Sequence, residues 1–221
     1  RIHGLQPITG VELTVDRVFG DVPQAMPGKP AYDEVAGGAV DDRAGAMHSR
    51  RWPESEHHVT LLAETPTGYA NLCRLITRAR MERPREAPAL AFDVLLDPQA
   101  TQGLILLTGC RRSPVLAALR RSHADAEAML SKLIETFGPD RIFVELQYNE
   151  VRGDADRIRA LCRLADAHHM PVVATGNVHY HRSSRYPLQD VLVAIRTRSS
   201  LDGCHEIRRP NRCWTLASAE L

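Results

Sequence analysis

From residue 59 onward the chain alternates short apolar runs with stretches of helical period, in the order strand, helix, strand, helices, strand, helix, strand, helix. Strands separated by helix-length segments pair through crossovers, so this order predicts an α/β fold built on a mainly parallel sheet. The stretch Val172 to His181, Val-Val-Ala-Thr-Gly-Asn-Val-His-Tyr-His, shows how such a run ends. Its β-branched, apolar beginning predicts a buried strand, and its polar end is a strand tip. In open α/β sheets and α/β barrels, ligands collect where the carboxyl ends of strands meet the loops, which puts Asn177, His179 and His181 where chemistry would occur. A histidine there either caps backbone and faces water or serves as a ligand. The other tips decide.

Leu5 to Val15 reads as a strand carrying Glu12, a carboxylate among apolar neighbours that needs a partner. His57 to Ala63 is a second strand with His58 at its beginning. Gly103 to Cys110 repeats the pattern, an apolar run closed by Thr-Gly-Cys, so Cys110 sits at a tip as a metal thiolate or a plain buried cysteine. A phosphatase-type thiolate would want an Arg six positions on, and that position is Leu116. Ile142 to Leu146 is a strand with Glu145 and Gln147 on one side.

Between the strands, Thr67 to Met81 predicts a helix with Tyr69, Leu72, Cys73 and Ile76 inward, ended by Pro84 and Pro88. A short helix begins at Pro114. Ala124 to Phe137 is the cleanest helix, with Ala126, Met129, Leu130, Leu133, Ile134 and Phe137 on one face, Ser122 as N-cap and Gly138-Pro139 as the stop. Asp154 is expected to cap a helix that buries Ile158, Leu161, Cys162 and Ala165 and ends at His168-His169. Pro187 opens a last helix with Leu188, Val191, Leu192 and Ile195 inward.

The remaining stretches lack such a period. Residues 16–57, rich in Gly, Pro, Asp and Arg, are expected to be an insertion or mobile loop. Residues 1–198 then form one barrel domain, and 199–221 begin a linker. Cys204, His205 and Cys213 in that tail lack the C-x-x-C pair of a zinc site. Five Cys, an odd number without paired spacing, fit reduced thiols, and neither an export signal nor an apolar run of the ~20 residues a membrane span needs is present. The cytoplasm is the expected compartment. Among 28 basic residues only Lys29 and Lys132 are Lys, yet the net charge is +1, which by itself argues for no nucleic-acid partner.

Collected, the tips offer Glu12, His58, Cys110, Asn177 and His179. Carboxylate, imidazole and thiolate groups brought to one mouth would hold divalent ions such as zinc or manganese. The surrounding words carry a family resemblance. Pro7-Ile-Thr-Gly-Val-Glu12, His58-Val-Thr-Leu-Leu-Ala-Glu64, Thr67-Gly-Tyr-Ala-Asn-Leu72, Leu107-Thr-Gly-Cys110, Val144-Glu-Leu-Gln147, Ala174-Thr-Gly-Asn-Val-His-Tyr180 and Pro187-Leu-Gln-Asp-Val-Leu192 follow one another in order. Together they resemble the PHP (polymerase and histidinol phosphatase) domain of bacterial C-family DNA polymerase III alpha subunits. Leu72-Cys-Arg-Leu-Ile-Thr-Arg-Ala-Arg80 and Tyr180-His-Arg-Ser-Ser-Arg-Tyr-Pro-Leu-Gln-Asp190 look most like the error-prone, damage-inducible branch.

The resemblance implies a (β/α)7 barrel with helices outside, whose mouth can hold metal ions, and it assigns ligand roles to Glu12, His58, Cys110 and His179. It also implies DNA, the remaining polymerase domains, a sliding clamp and translesion factors as partners, and magnesium for the parent polymerase. Two departures stand out. The chain opens on Arg1 rather than Met, so it is expected to be a fragment lacking the family's leading His-x-His and roughly the first two β/α units. The family's last Asp is Asn177 here, which can lend a carbonyl oxygen but no charge. Loss of hydrolytic activity is the expectation, which leaves no catalytic residue in the chain and makes it an accessory domain. Two other readings compete: a free-standing metal-dependent phosphoesterase of the histidinol phosphatase type, and a nucleic-acid-binding module using Arg78, Arg80, Arg83 and Arg85 or Arg111 and Arg112 on phosphates.

Overall fold

The structure, a computed structural model, describes residues 7–16, 18–19, 56–85, 87–205 and 207–217. The stretch expected to be an insertion lies almost wholly outside the described residues, as do Leu5 and Gln6 of the first expected strand. The fold is α/β. Strand β1 (Gly10–Asp16) is followed by β2 (His57–Ala63), helix α1 (Pro66–Met81), the two-residue β3 (Leu90–Ala91) and the single-turn helices α2 (Phe92–Leu95) and α3 (Pro98–Thr101). Next come β4 (Leu104–Leu107), α4 (Pro114–Arg121), α5 (His123–Phe137), β5 (Ile142–Gln147), α6 (Asp154–Ala167), β6 (Val172–Thr175) and α7 (Tyr186–Thr197). The sheet has six strands in the order β3-β1-β2-β4-β5-β6, and among the described residues it does not close on itself.

One strand departs from the expected direction. β2 runs antiparallel to both neighbours, pairing Glu12 with Thr60 on one side and Thr60 with Leu107 on the other, while β1–β3, β4–β5 and β5–β6 are parallel. The beginning of β2 therefore lies at the same rim as the ends of β1 and β4. Alternation along the strands then separates two faces. Leu13 and Val15 of β1, Val59 and Leu61 of β2, Leu104 and Leu106 of β4, and Ile142 and Val144 of β5 form one core with α1, α4, α5 and α6. Glu12, His58 and Thr60 alternate with these buried positions and face the other way.

The helix caps follow the sequence closely. Ser122 accepts from the Asp125 amide at 3.0 Å, Ser113 accepts from that of Leu116 at 3.1 Å, and Gly138 ends α5 at φ 82. Asp154 differs. The N-cap of α6 is Gly153, and the Asp154 carboxylate instead accepts from the amides of Asn149, at 2.8 Å, and Val151, at 3.2 Å, fastening the loop before the helix.

Three expected inward stripes are rotated. In α1 the buried residues are Gly68, Asn71, Leu72, Leu75 and Ala79, whereas Tyr69 is 54% exposed and Cys73 is exposed, not core. The cause is polar and steric. The Asn71 amide donates to the carbonyls of Gln99 and Gln102 at 3.1 and 3.0 Å, and Gly68 lies so close to Gly103 that a Cβ on it would meet the Gly103 carbonyl oxygen at 1.8 Å. In α6 the stripe runs through Arg157, Ala160, Leu161, Leu164 and Ala165, with Cys162 half-buried at its margin. In α7 the buried residues are Asp190, Val193 and Ala194, the last two packed on Cys204 and Ile207, and Leu188, Val191, Leu192 and Ile195 face outward. The buried Asp190 is matched by Arg208 at 2.8 Å, which is why a helix face with a carboxylate in its middle points inward. β6 corrects a further expectation: it is an edge strand with Val172 48% exposed, because only β5 pairs with it among the described residues.

The Gly68–Gly103 contact yields a test. Gly68→Ala forces helix and strand apart and is expected to destabilise the chain by about 1–3 kcal/mol despite alanine's better helix propensity, read from urea unfolding at constant m-value.

Candidate metal centre

The rim gathers three of the expected ligands. Antiparallel pairing opposes His58 to Thr14, so Glu12 and His58 project from the same side of adjacent strands. The tip of β4 comes in from the other side. Gly109, at φ +101, passes the His58 carbonyl so closely that a Cβ would meet its oxygen at 2.3 Å, and this approach seats Cys110 beside the imidazole. The turn is fastened by the His58 amide donating to the Arg112 carbonyl at 2.9 Å and that of Ser113 to the Cys110 carbonyl at 2.8 Å.

His58 Nδ1 lies 3.2 Å from Glu12 Oε1 and 3.6 Å from Cys110 Sγ. One ligand atom from each residue falls within 4.8 Å of the other two, and these three form the group of His, Cys, Asp and Glu side chains suited to a metal ion among the described residues. Ligands bonded to zinc at about 2.0–2.3 Å in a tetrahedron are separated by roughly 3.3 Å for an oxygen–nitrogen pair and roughly 3.5 Å for a nitrogen–sulfur pair. The spacing and the mixed carboxylate, imidazole and thiol donors fit such an ion. Cys204, His205 and Cys213 form no comparable group: Cys204 is buried against α7.

Without an ion the same three groups form a hydrogen-bonded cluster. The His58 hydrogen bond holds the Glu12 carboxyl below its ordinary pKa, against the opposing effect of burial. Burial alone would depress His58, but its hydrogen bonds with Cys110 and Glu12 outweigh that and raise it to about 9. The preceding residue does the opposite. His57 points into the core, edge-on to Phe19 with ring centroids 5.8 Å apart, and burial pushes its pKa down to about 4.

The remaining expected ligands lie elsewhere on the rim. His179, exposed as a whole residue, stands outside the three-residue group, and its Nε2 is in hydrogen-bond contact with Arg209 Nη2. Desolvation of the ring and then the Arg209 charge lower its pKa to about 4. Asn177 is half-buried with left-handed backbone at φ 46, and His181 is exposed. Glu145 and Gln147 lie buried on one side of β5 as expected, bonded to each other at 3.0 Å and both to Thr175. Arg209 had no sequence signal, because it sits in a tail without apolar period.

The arginines offered for phosphate contact are partly committed. Arg78 pairs with Glu82 at 2.7 Å, Arg83 with Asp16, Arg112 with Glu56 at 3.2 Å, and Arg111 approaches Asp154 at 3.5 Å. No helix among the described residues is long and apolar enough to cross a membrane.

The sequence profile of the family described as PHP domain matches residues 1–149. An error-prone DNA polymerase of Symbiobacterium thermophilum is 36% identical over 173 residues, covering 72% of this chain and 16% of the relative. The DNA polymerase III subunit alpha of Thermus aquaticus is 32% identical over 187 residues, 84% of this chain and 15% of the relative. An error-prone DNA polymerase of Nocardia farcinica is 32% identical over 217 residues, 86% of this chain and 19% of the relative. The chain thus spans less than a fifth of the length of each of these three relatives.

The adjacent histidines set opposite pH windows. A value raised from 6.5 to about 9 gives His58 a stabilising contribution that is full below 6.5 and lost as pH rises through 9. A value lowered from 6.5 to about 4 makes His57 cost stability as pH falls from 6.5 through 4. Ring-proton NMR titration of the metal-free chain should resolve midpoints near 9 for His58 and near 4 for His57, and Glu12→Gln should move only the first, downward.

Proposed function

Because the chain belongs to the PHP domain family, we propose that it serves as the PHP domain of an error-prone DNA polymerase, with a divalent ion bracing its rim. The observation that carries the metal part is the meeting of Glu12, His58 and Cys110 at ligand spacing. Names of the relatives support the polymerase part. In this reading nucleotide addition belongs to another part of a longer polypeptide. The partners are then DNA, the remaining polymerase domains, a sliding clamp and translesion factors.

Glu12, His58 and Cys110 would hold the ion, and a thiolate donor favours zinc over manganese. When bound, such an ion supplies electrostatic crosslinking of strands and, at an open position, Lewis acidity. The residues around it argue for bracing. β1, β2 and the tip of β4 each contribute one donor, so the ion would tie three neighbouring segments together. Hydrolysis by paired ions works best with anionic groups that both ions share, and Asn177 offers a neutral amide where the family resemblance expects a carboxylate. His179 is engaged by Arg209.

Zinc at a hundredfold excess over its Kd should stabilise the chain by about 2.7 kcal/mol, seen as a raised Tm. The increase should vanish in Cys110→Ala and shrink in Glu12→Gln. Hydrolysis of bis(p-nitrophenyl) phosphate with zinc or manganese should stay at the buffer rate. Turnover by the wild-type chain that disappears in Cys110→Ala would refute the bracing role, and a Tm indifferent to zinc would refute the metal.

A further inference from the structure

A cation sits at this rim already, supplied by the chain itself. Arg209 is carried by the tail after α7 and fixed from several sides. The Tyr186 hydroxyl donates to the Arg209 carbonyl at 2.7 Å, and the preceding Arg208 pairs with buried Asp190 at 2.8 Å. The Asn211 amide donates to the carbonyls of Asn149 at 2.7 Å and Glu150 at 3.2 Å. Tyr180 bridges Thr215 in parallel, with the His179 amide donating to the Trp214 carbonyl at 2.9 Å. The guanidinium rests over the Trp214 ring, 5.1 Å from its centroid.

So delivered, Arg209 Nη2 meets His179 Nε2. A guanidinium is always protonated and has only donors, so the imidazole nitrogen must be the acceptor. Its lone pair is the one a metal ion would use. Arg209 makes no ion pair among the described residues, and its Nε is buried without a hydrogen-bond partner. Its position therefore comes from the fold of the tail rather than from a salt bridge to a carboxylate. Glu12 and Cys110 lie within its electrostatic reach, and His179 lies within that of Glu12.

We propose that Arg209 is a latch on His179: by occupying the Nε2 lone pair it keeps this imidazole out of the metal site, leaving a three-ligand site of Glu12, His58 and Cys110. Release of Arg209 frees His179 to become the fourth ligand, converting an open site into a closed one. Arg209 is thus a positioning residue, and the segment from Arg208 to Thr215 is what couples metal coordination to whatever contacts the tail. This rests on the metal reading above.

The test is a double-mutant cycle on the full chain, titrated with zinc by calorimetry and with cobalt(II) by visible absorption. Arg209→Met keeps an apolar stem over Trp214 and removes the donor; Arg209→Gln replaces it if Met impairs folding. Zinc affinity should rise about tenfold or more in the Arg209 variant, the size expected when a group holding a ligand is changed. Cobalt bands should gain the intensity of a tetrahedral site. His179→Ala should abolish that gain in the variant and leave the wild-type affinity unchanged. Equal affinity in wild type and the Arg209 variant overturns the latch while leaving the three-ligand site intact, and an equal loss from His179→Ala in both overturns it by showing that His179 already holds the ion in the wild type. Absence of zinc binding in every chain, wild type included, overturns the metal reading and the latch with it.

Discussion

One imidazole nitrogen placed between a carboxylate and a thiol organises this rim. His58 Nδ1 approaches Glu12 and Cys110 from a strand that runs against both of its neighbours. Had β2 been parallel, its first residues would lie at the opposite edge of the sheet, and His58 could not meet the ends of β1 and β4. The reversal is local, two antiparallel pairs in a sheet whose other three pairs are parallel. It nevertheless decides where the chemistry can be. The cluster is partly buried, so the proton on His58 is held by its acceptors rather than by water.

The core behind the sheet gives that cluster a firm base. Val59, on the same strand as His58, is fully buried, and Leu61 with it, between β1, β4 and the helices. A strand with one face locked in a packed core cannot slip by one residue without turning its apolar side chains to the rim. The register that fixes Val59 and Leu61 therefore also fixes His57 inward and His58 outward. Two identical neighbours in sequence thereby acquire opposite proton affinities, one set by burial and the other by its hydrogen bonds with Cys110 and Glu12.

Much of this was legible in the sequence. Short apolar runs that carry Glu12, open on His58 or close on Cys110 marked the strands and the three side chains that the fold brings together, and Ser122 and Gly138 marked a helix with both its ends. The misread helix faces share one cause. In α1 and α7 the large apolar residues Tyr69, Leu188, Leu192 and Ile195 suggested an inward face, whereas the faces that pack contain Gly68, Asn71 and Asp190. Hydrophobic periodicity registers neither a glycine needed for close backbone approach nor a polar group buried because it finds a partner far along the chain. Arg209 was invisible for a related reason. Its contact with His179 spans 30 positions and depends on how the tail folds back, which no local pattern records.

Asn177 turns the chain between β6 and His179 with backbone in the left-handed region. Asparagine and aspartate both tolerate that region, having short polar side chains of nearly the same shape. Exchanging amide for carboxylate there would consequently leave the turn as it is and alter only the local potential. Conformation does not separate a neutral lip from an anionic one at this point; a single terminal atom does, and the scaffold is equally hospitable to either.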